Sequence, residues 1–387
     1  MFTVEMLPAY LGDSLWIEYG DPGRPSRILV DGGLSGTADA IRDKIDAVAD
    51  IEGRCRLELL VVTHIDGDHI EGLVKLLGQK GLRLDIDDVW FNGRKHMPDA
   101  DGEDEERFLG AKQGEYMSAL IGERDLPWNV YQDGKTIYVP PEARSTLPRH
   151  ELPGGMNLTL LSPRYEELRG LSKNWEKELA KAGLDKASQD EVMAALRADR
   201  KLRPDDEFLS EDTMDVAKLV LTKEGRDGSM ANGASIAFVA EFEGASCLLT
   251  GDAWSPVLSA GIDRLLRETN VERLPLNALK VPHHGSKNNL HDELLEQLDT
   301  HRFLISTDGG RFDHPDRPSI ARMLAGSWRP DPTADEPVDL HFNYRSDSNR
   351  VWDDPDLKKQ WNYRTHYPAA GAEGLVFDVR DPAEGQS

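Results

Sequence analysis

Apolar positions along the chain fall into two periods that change place. Near the N-terminus they come in short runs: Phe2-Thr3-Val4, Ser14 to Tyr19, and Arg27 to Asp31. Such runs predict strands, and Gly20-Asp21-Pro22-Gly23 reads as the turn between the last two. Ile41, Ile45 and Val48 recur at helical spacing, which predicts a helix over 37–50. The run 57–62 predicts a buried strand, and Ile70, Leu73, Val74 and Leu77 mark one face of a following helix. A further strand is expected across 85–93. The order β-β-β-α-β-α places strands before and between helices.

From 107 to 230 the pattern turns mainly helical. Helices are expected at 107–122, 164–182, about 188–202 and 212–222, with short strands only at 136–139 and 158–161. Strand texture then returns. The runs 234–242 and 245–249 flank Glu243-Gly244, a hairpin signal. A helix over 256–267, a strand at 278–281, a helix over 289–298 and a strand at 303–306 follow. Strands at 339–344 and 374–379 close the pattern. The chain is therefore expected to be α/β.

Composition narrows the class. The 387 residues are 39% hydrophobic, enough for a substantial core. No apolar run approaches the roughly 20 residues of a membrane span. The start, Met1 to Glu5, lacks the basic and apolar regions of a signal peptide. Cys55 and Cys247 are too few for a disulfide framework and read as buried thiols. A soluble, cytoplasmic protein with no membrane partner is expected. The net charge of −24 disfavours non-specific binding to nucleic-acid phosphates. It leaves open a nucleic-acid ester as well as a small-molecule ester as substrate, since bound divalent metals make a site locally positive. The acids from Asp99 to Glu106 read as a solvated loop, lacking the spacing of a calcium loop.

Candidate chemistry concentrates after the strand 57–62. His64, Asp66, Asp68 and His69 put four metal-binding side chains on a strand-to-helix loop. A plain helix cap would explain an acid such as Asp68, but not two histidines as well. Three later strand ends carry similar residues: Asp252 after Thr250-Gly251, the pair His283-His284 after 278–281, and His314 beyond 303–306. Asp31 ends an early strand, and His96 follows the strand that ends at Asn92-Gly93.

These motifs resemble those of the metallo-β-lactamase-fold hydrolases. Thr63-His64-Ile65-Asp66-Gly67-Asp68-His69 matches their Thr-His-x-His-x-Asp-His with Asp66 in place of a histidine. Gly251-Asp252 matches the bridging aspartate and Asp31 the supporting strand-end aspartate. Leu279 to Ser286, with its His-His-Gly-Ser, is similar to the hydrolase domain of ComEC/Rec2 competence proteins and their soluble relatives. The resemblance covers roughly 1–95 and 230–380.

It implies an αβ/βα sandwich of two mixed sheets flanked by helices. Residues 1–95 and 231–387 would form its halves, with 96–230 as a mostly helical insertion or cap. It also implies two divalent ions, Zn²⁺ or Mn²⁺. His64, Asp66 and Asp252 would hold the first, helped by Asn232, and this site is expected to bind weakly. Asp68, His69, Asp252 and one of His283/His284 would hold the second, with His283 slightly preferred because it comes first off the strand. Oxygen donors in place of imidazole shift preference toward Mn²⁺. The chemistry implied is hydrolysis by a metal-activated hydroxide, with Asp68 orienting the water and His314 or His284 protonating the leaving group. Asp31, Asn232, Ser235, Ser286 and His96 are expected to support the ligands or face the substrate.

A phosphodiesterase or nuclease-type phosphoesterase is the first expectation. A hydrolase of carboxylic esters, thioesters or lactones is the alternative, as is a metal-binding partner protein without turnover.

Overall fold

The computed structural model describes residues 1–98, 111–142, 145–182, 214–332 and 336–380. The strands run β1 (Phe2–Met6), β2 (Leu15–Asp21), β3 (Arg24–Val30), β4 (Cys55–Leu57), β5 (Leu59–Val61), β6 (Leu84–Ile86), β7 (Val89–Trp90), β8 (Arg149–Glu151) and β9 (Asn157–Ser162). They continue as β10 (Ala237–Phe242), β11 (Ala245–Leu249), β12 (Leu274–Pro275), β13 (Ala278–Lys280), β14 (Leu298–Asp299), β15 (Arg302–Ile305), β16 (Val338–Phe342), β17 (Tyr363–His366) and β18 (Leu375–Asp378).

Two mixed sheets result. The first has the order β18-β1-β2-β3-β5-β7 and the second β17-β16-β15-β13-β11-β10-β9-β8. In the first, β3, β5 and β7 are parallel. In the second, β11, β13, β15, β16 and β17 are parallel. The period of two decides what each face buries. On β2, Leu15, Ile17 and Tyr19 join Phe238, Leu248 and Phe303 of the second sheet in one core. Trp16 points the other way, and with Leu29 and Leu60 it meets the helices.

Four helices cover that outer face: α1 (Thr37–Ala47), α2 (Gly67–Leu77), α3 (Ala111–Glu123) and α4 (Tyr165–Ala182). They bury Ile41, Ile45, Ile70, Leu73, Met117, Leu120 and Leu168 there. The helix Ser255–Thr269 packs on the second sheet, where a Cβ on Gly261 would lie 2.5 Å from the Leu161 carbonyl oxygen. Leu258 and Ile262 of that helix enter the second sheet's core. This is the α/β sandwich of two mixed sheets flanked by helices that the motifs implied.

Several expectations change. The run 57–62 is two strands: β4 pairs with β6 in a separate ribbon, and β5 enters the main sheet. The break falls at Glu58, the one polar residue of the run, whose N–H and carboxylate both turn to the Arg27 backbone. The stretch 136–139 is not a strand, and only Val139 forms a bridge, to Arg164. The 212–222 helix shortens to Val216–Val220, capped by Asp215. The stretch 96–230 also supplies β8 and β9 to the second sheet. Beyond the expected elements the structure adds the strand β17, which has no apolar period, and the helix Arg317–Ala325, whose Ile320, Met323 and Leu324 do recur at helical spacing. The helix expected at 188–202 and the acidic run from Asp99 to Glu106 lie outside the described residues.

Candidate metal centre

Parallel strands bring their C-terminal ends to one edge, where α/β folds place ligands. β3 ends in Asp31, β5 leads to Thr63 and His64, β11 to Asp252, and β13 to His283 and His284. The loops meet across the two sheets, since the Ile236 N–H donates to the Thr63 carbonyl over 2.9 Å. Gly251 permits the turn into Asp252. Its φ is +50°, and a Cβ would meet the Thr63 side chain at 3.0 Å and Ser235 at 3.3 Å. The Asp252 N–H then donates to Ser235 Oγ at 3.3 Å.

Asp31 organises the first loop. Its carboxylate accepts from the Thr63 N–H at 2.7 Å, from Thr63 Oγ1 at 2.6 Å and from His69 Nδ1 at 2.8 Å. Asp66 stands at the N-cap of α2, yet its side chain accepts no capping hydrogen bond. Helix capping therefore does not explain this acid.

Four imidazoles surround Asp252. His69 Nε2 lies 3.3 Å from its Oδ1, and the Nε2 atoms of His64, His283 and His284 lie 3.9, 3.7 and 3.6 Å from its Oδ2. Asp68 Oδ2 is 3.6 Å from His284 Nε2 and 4.0 Å from His69 Nε2. Asp66 Oδ2 is 3.9 Å from His64 Nε2.

Each ring is held by its other nitrogen. Thr63 Oγ1 spends its proton on Asp31, so it accepts from His64 Nδ1 at 3.0 Å. His69 Nδ1 donates to Asp31. His283 Nδ1 faces Asn289 Oδ1 at 2.8 Å, and His284 Nδ1 donates to the Ser306 carbonyl at 2.9 Å. These assignments follow from the hydrogen-bond network. In the neutral rings they leave all four Nε2 lone pairs turned inward, the arrangement of metal-ligating histidines.

Electrostatics favour a cation here. Burial alone would discharge these rings, but Asp252 together with Asp227 and Asn289 at His283, and with Asp13 and Asp68 at His284, outweighs it and raises His283 to about 10 and His284 to about 9. His69 also rises well above its usual value against the cost of burial. His64 behaves oppositely: burial, reinforced by His69, lowers it to about 3. Burial would raise Asp68 and Asp252, yet the surrounding histidines, His69 foremost, hold both low. Burial and then Asp68 push Asp66 well up.

Divalent ions fit these residues. His64 Nε2 and Asp252 Oδ1 are buried without a hydrogen-bond partner, as is Asn232 Oδ1. His64, His69 and Asp252 converge as one possible ligand group, and Asp68, His69 and His284 as another. The His69 and His284 Nε2 atoms are 3.2 Å apart. A tetrahedral ion with bonds of about 2.0–2.1 Å sets neighbouring nitrogens about 3.3 Å apart.

The sequence preferred His283 to His284 as ligand. Both reach Asp252, but His284 is the one grouped with His69 and Asp68, because successive left-handed residues throw the two rings apart. Asn232 Nδ2 donates to Asp227 at 2.7 Å. Ser286 Oγ accepts from the Asn288 N–H, away from the cluster. The His314 ring lies edge-on to His283 at 5.6 Å. His96 is drawn elsewhere, packing edge-on against Trp128 at 4.7 Å, and burial lowers it to about 4.

Four site residues escaped the sequence reading. Asp227 Oδ2 is 3.3 Å from His283 Nδ1, and Asn289 joins Asp227 to the Asp252 carbonyl. Asp13 and Lys280 form a buried pair beside His284. Only Lys280 left a signal: a lysine within an apolar strand requires a buried partner.

No family model and no curated protein matches the chain. Among solved structures it is similar to a metallo-beta-lactamase HARLDQ-motif mutant from Cronobacter sakazakii (Enterobacter sakazakii), at 14% identity. That match covers 69% of this chain and 70% of the other, with a TM-score of 0.28. The overlap is too loose to weigh, and the fold rests on strand order and packing. No helix among the described residues is long and apolar enough to cross a membrane.

Proposed function

We propose that the protein is a metal-dependent hydrolase, most specifically a phosphodiesterase of the nuclease type. The observation that carries the hydrolase reading is the set of four Nε2 lone pairs facing Asp252, each ring fixed through its Nδ1. His69, His284, Asp68 and Asp252 would hold one divalent ion. His64, Asp66 and Asp252, with Asn232 Oδ1, would hold the second. Bound Mn²⁺ or Zn²⁺ would supply Lewis acidity and lower the pKa of water toward 7. The protein's own part is orientation. Asp31 keeps His69 and Thr63 in place, and Asp227 with Asn289 does the same for His283. Asp68, a quarter exposed, can orient an incoming water. His314, whose ring lies 5.6 Å from that of His283, would protonate a leaving group.

The phosphodiester preference rests on the likeness of Leu279 to Ser286 to the competence-protein hydrolase motif. The shift from imidazole toward oxygen donors at the first site agrees with it, since harder ions accompany phosphate chemistry. Metal analysis followed by a panel of phosphodiesters, carboxylic esters, thioesters and lactones with Mn²⁺ or Zn²⁺ tests the proposal. Lactone or thioester cleavage without phosphodiester cleavage would move the substrate class. Activity surviving Asp68→Ala with Asp252→Ala would remove the metal mechanism.

A further inference from the structure

We infer that Asp13 and Lys280 form a positioning couple that orients His284 for its metal. The inference rests on the metal-site reading above and assigns two residues that it does not use.

The couple sits beneath the cluster. Lys280 is fully buried and Asp13 is 1% exposed. Lys280 Nζ lies 2.7 Å from Asp13 Oδ2 and donates to the Val281 carbonyl at 2.9 Å. The other carboxylate oxygen, Oδ1, faces His284 Nδ1 at 3.4 Å and has no closer hydrogen-bond partner. The Nδ1–H of His284 thus lies between the Ser306 carbonyl and Asp13 Oδ1. The chain is Lys280, Asp13, His284, with His284 Nε2 opening on Asp68, Asp252 and His69.

A packing role alone does not account for this choice. Replacing a buried ion pair by apolar residues of similar volume is often neutral or stabilising. A lysine at the end of a buried parallel strand is therefore an expensive way to fill space. The pair gains a reason from its direction. A carboxylate behind a ligating histidine fixes the ring's tautomer and raises its basicity. Lys280, 2.7 Å from Asp13 Oδ2, holds that carboxylate in place beneath the ring. The backbone brings the pair close for the same end. A Cβ on Gly12 would lie 1.6 Å from the Asp68 carbonyl oxygen, so only glycine lets this turn press under the metal loop. His284 also has a left-handed φ of 54°, so its ring orientation needs more support than its own backbone gives.

The test is the double variant Asp13→Asn with Lys280→Met, which removes both charges together. Its circular dichroism and its Mn²⁺ and Zn²⁺ dissociation constants are compared with those of the wild type by calorimetric titration. The expected result is a folded protein whose metal binding is 10- to 100-fold weaker, in line with other residues that support metal ligands. A folded double variant with wild-type metal affinity would overturn the inference, whatever its melting temperature, because a structural pair changes stability without changing affinity. If the double variant does not fold, Asp13→Asn alone is measured. It preserves side-chain shape and leaves Lys280 its bond to the Val281 carbonyl, and the same two outcomes apply. A wild type that binds no metal would refute the metal-site reading itself, which separates that failure from this one.

Discussion

His69 and His284 follow strands of different sheets, yet their Nε2 atoms face each other across 3.2 Å. Each is anchored at Nδ1, His69 on Asp31 and His284 on the Ser306 carbonyl. Two neutral rings held this way would oppose their lone pairs. A proton or a cation between them removes the conflict. His69→Ala and His284→Ala are each expected to weaken the tighter metal by at least 100-fold. His283→Ala, which removes a ring outside that group, should cost that ion far less. Metal titration of the three variants decides, and equal losses in all three would return His283 to the ligand set.

Asp31 accepts three hydrogen bonds at the foot of the site. Asp31→Ala leaves the Thr63 N–H unpaired and frees the His69 ring. An unsatisfied buried donor costs about 1–3 kcal/mol, and the loss of support lowers metal affinity roughly 10- to 100-fold. Denaturant unfolding without metal reads the first effect, and metal titration the second. Unchanged affinity would show that His69 needs no second anchor.

Gly251 should not tolerate a side chain. Alanine there combines φ of +50° with a contact of 3.0 Å to Thr63. Gly251→Ala is expected to destabilise the fold by about 1–3 kcal/mol through backbone strain and to displace Asp252. Unfolding midpoints and metal content measured together check this. Wild-type values for both would mean that the turn relaxes.

His314 is proposed as a proton donor, so His314→Ala should lower kcat by roughly 10²- to 10⁴-fold on substrates with poor leaving groups. Metal affinity should be unchanged. An equal loss on a substrate whose leaving group needs no proton would remove the role.

Away from the site, His341 stacks on His366 with ring centres 4.2 Å apart. Burial, then the neighbouring His366, lowers His341 to about 3. Below its unfolded value, near 6.5, the unfolded chain takes up a proton that the folded chain refuses. Stability is therefore complete above about pH 6.5 and falls as pH drops toward 3. Between pH 7 and pH 5 this linkage is worth on the order of 2 kcal/mol. His341→Phe should remove that share of the pH dependence, read as the wild-type-minus-variant difference in unfolding free energy with chelator present. An undiminished pH slope in the variant would refute it.

The chain's sequence carried the central loop almost whole. His64, Asp66, Asp68 and His69 are contiguous, and the strand and helix around them follow from apolar spacing. Asp252 and the histidine pair were legible because each ends a short apolar run. The different directions of the His283 and His284 rings were not. They depend on two left-handed backbone positions, which no periodicity reports. For His96 the strand-end signal gave only a place in the chain; its ring contact, with Trp128, comes from a later loop. Asp227 and Asn289 lie in loops with no pattern, and their roles exist only once both loops meet at His283.

Local spacing thus determined the sheet-and-helix texture, the α/β class and the ligand types, because these depend on residues close in the chain. Tertiary structure alone decided the pairing of Asp13 with Lys280, 267 positions apart in the sequence, and which nitrogen each ring turns inward. Those outcomes are set by contacts between the two sheets, where a buried charge or a lone pair must find its partner from distant chain. Spacing along the sequence carries no record of that distance.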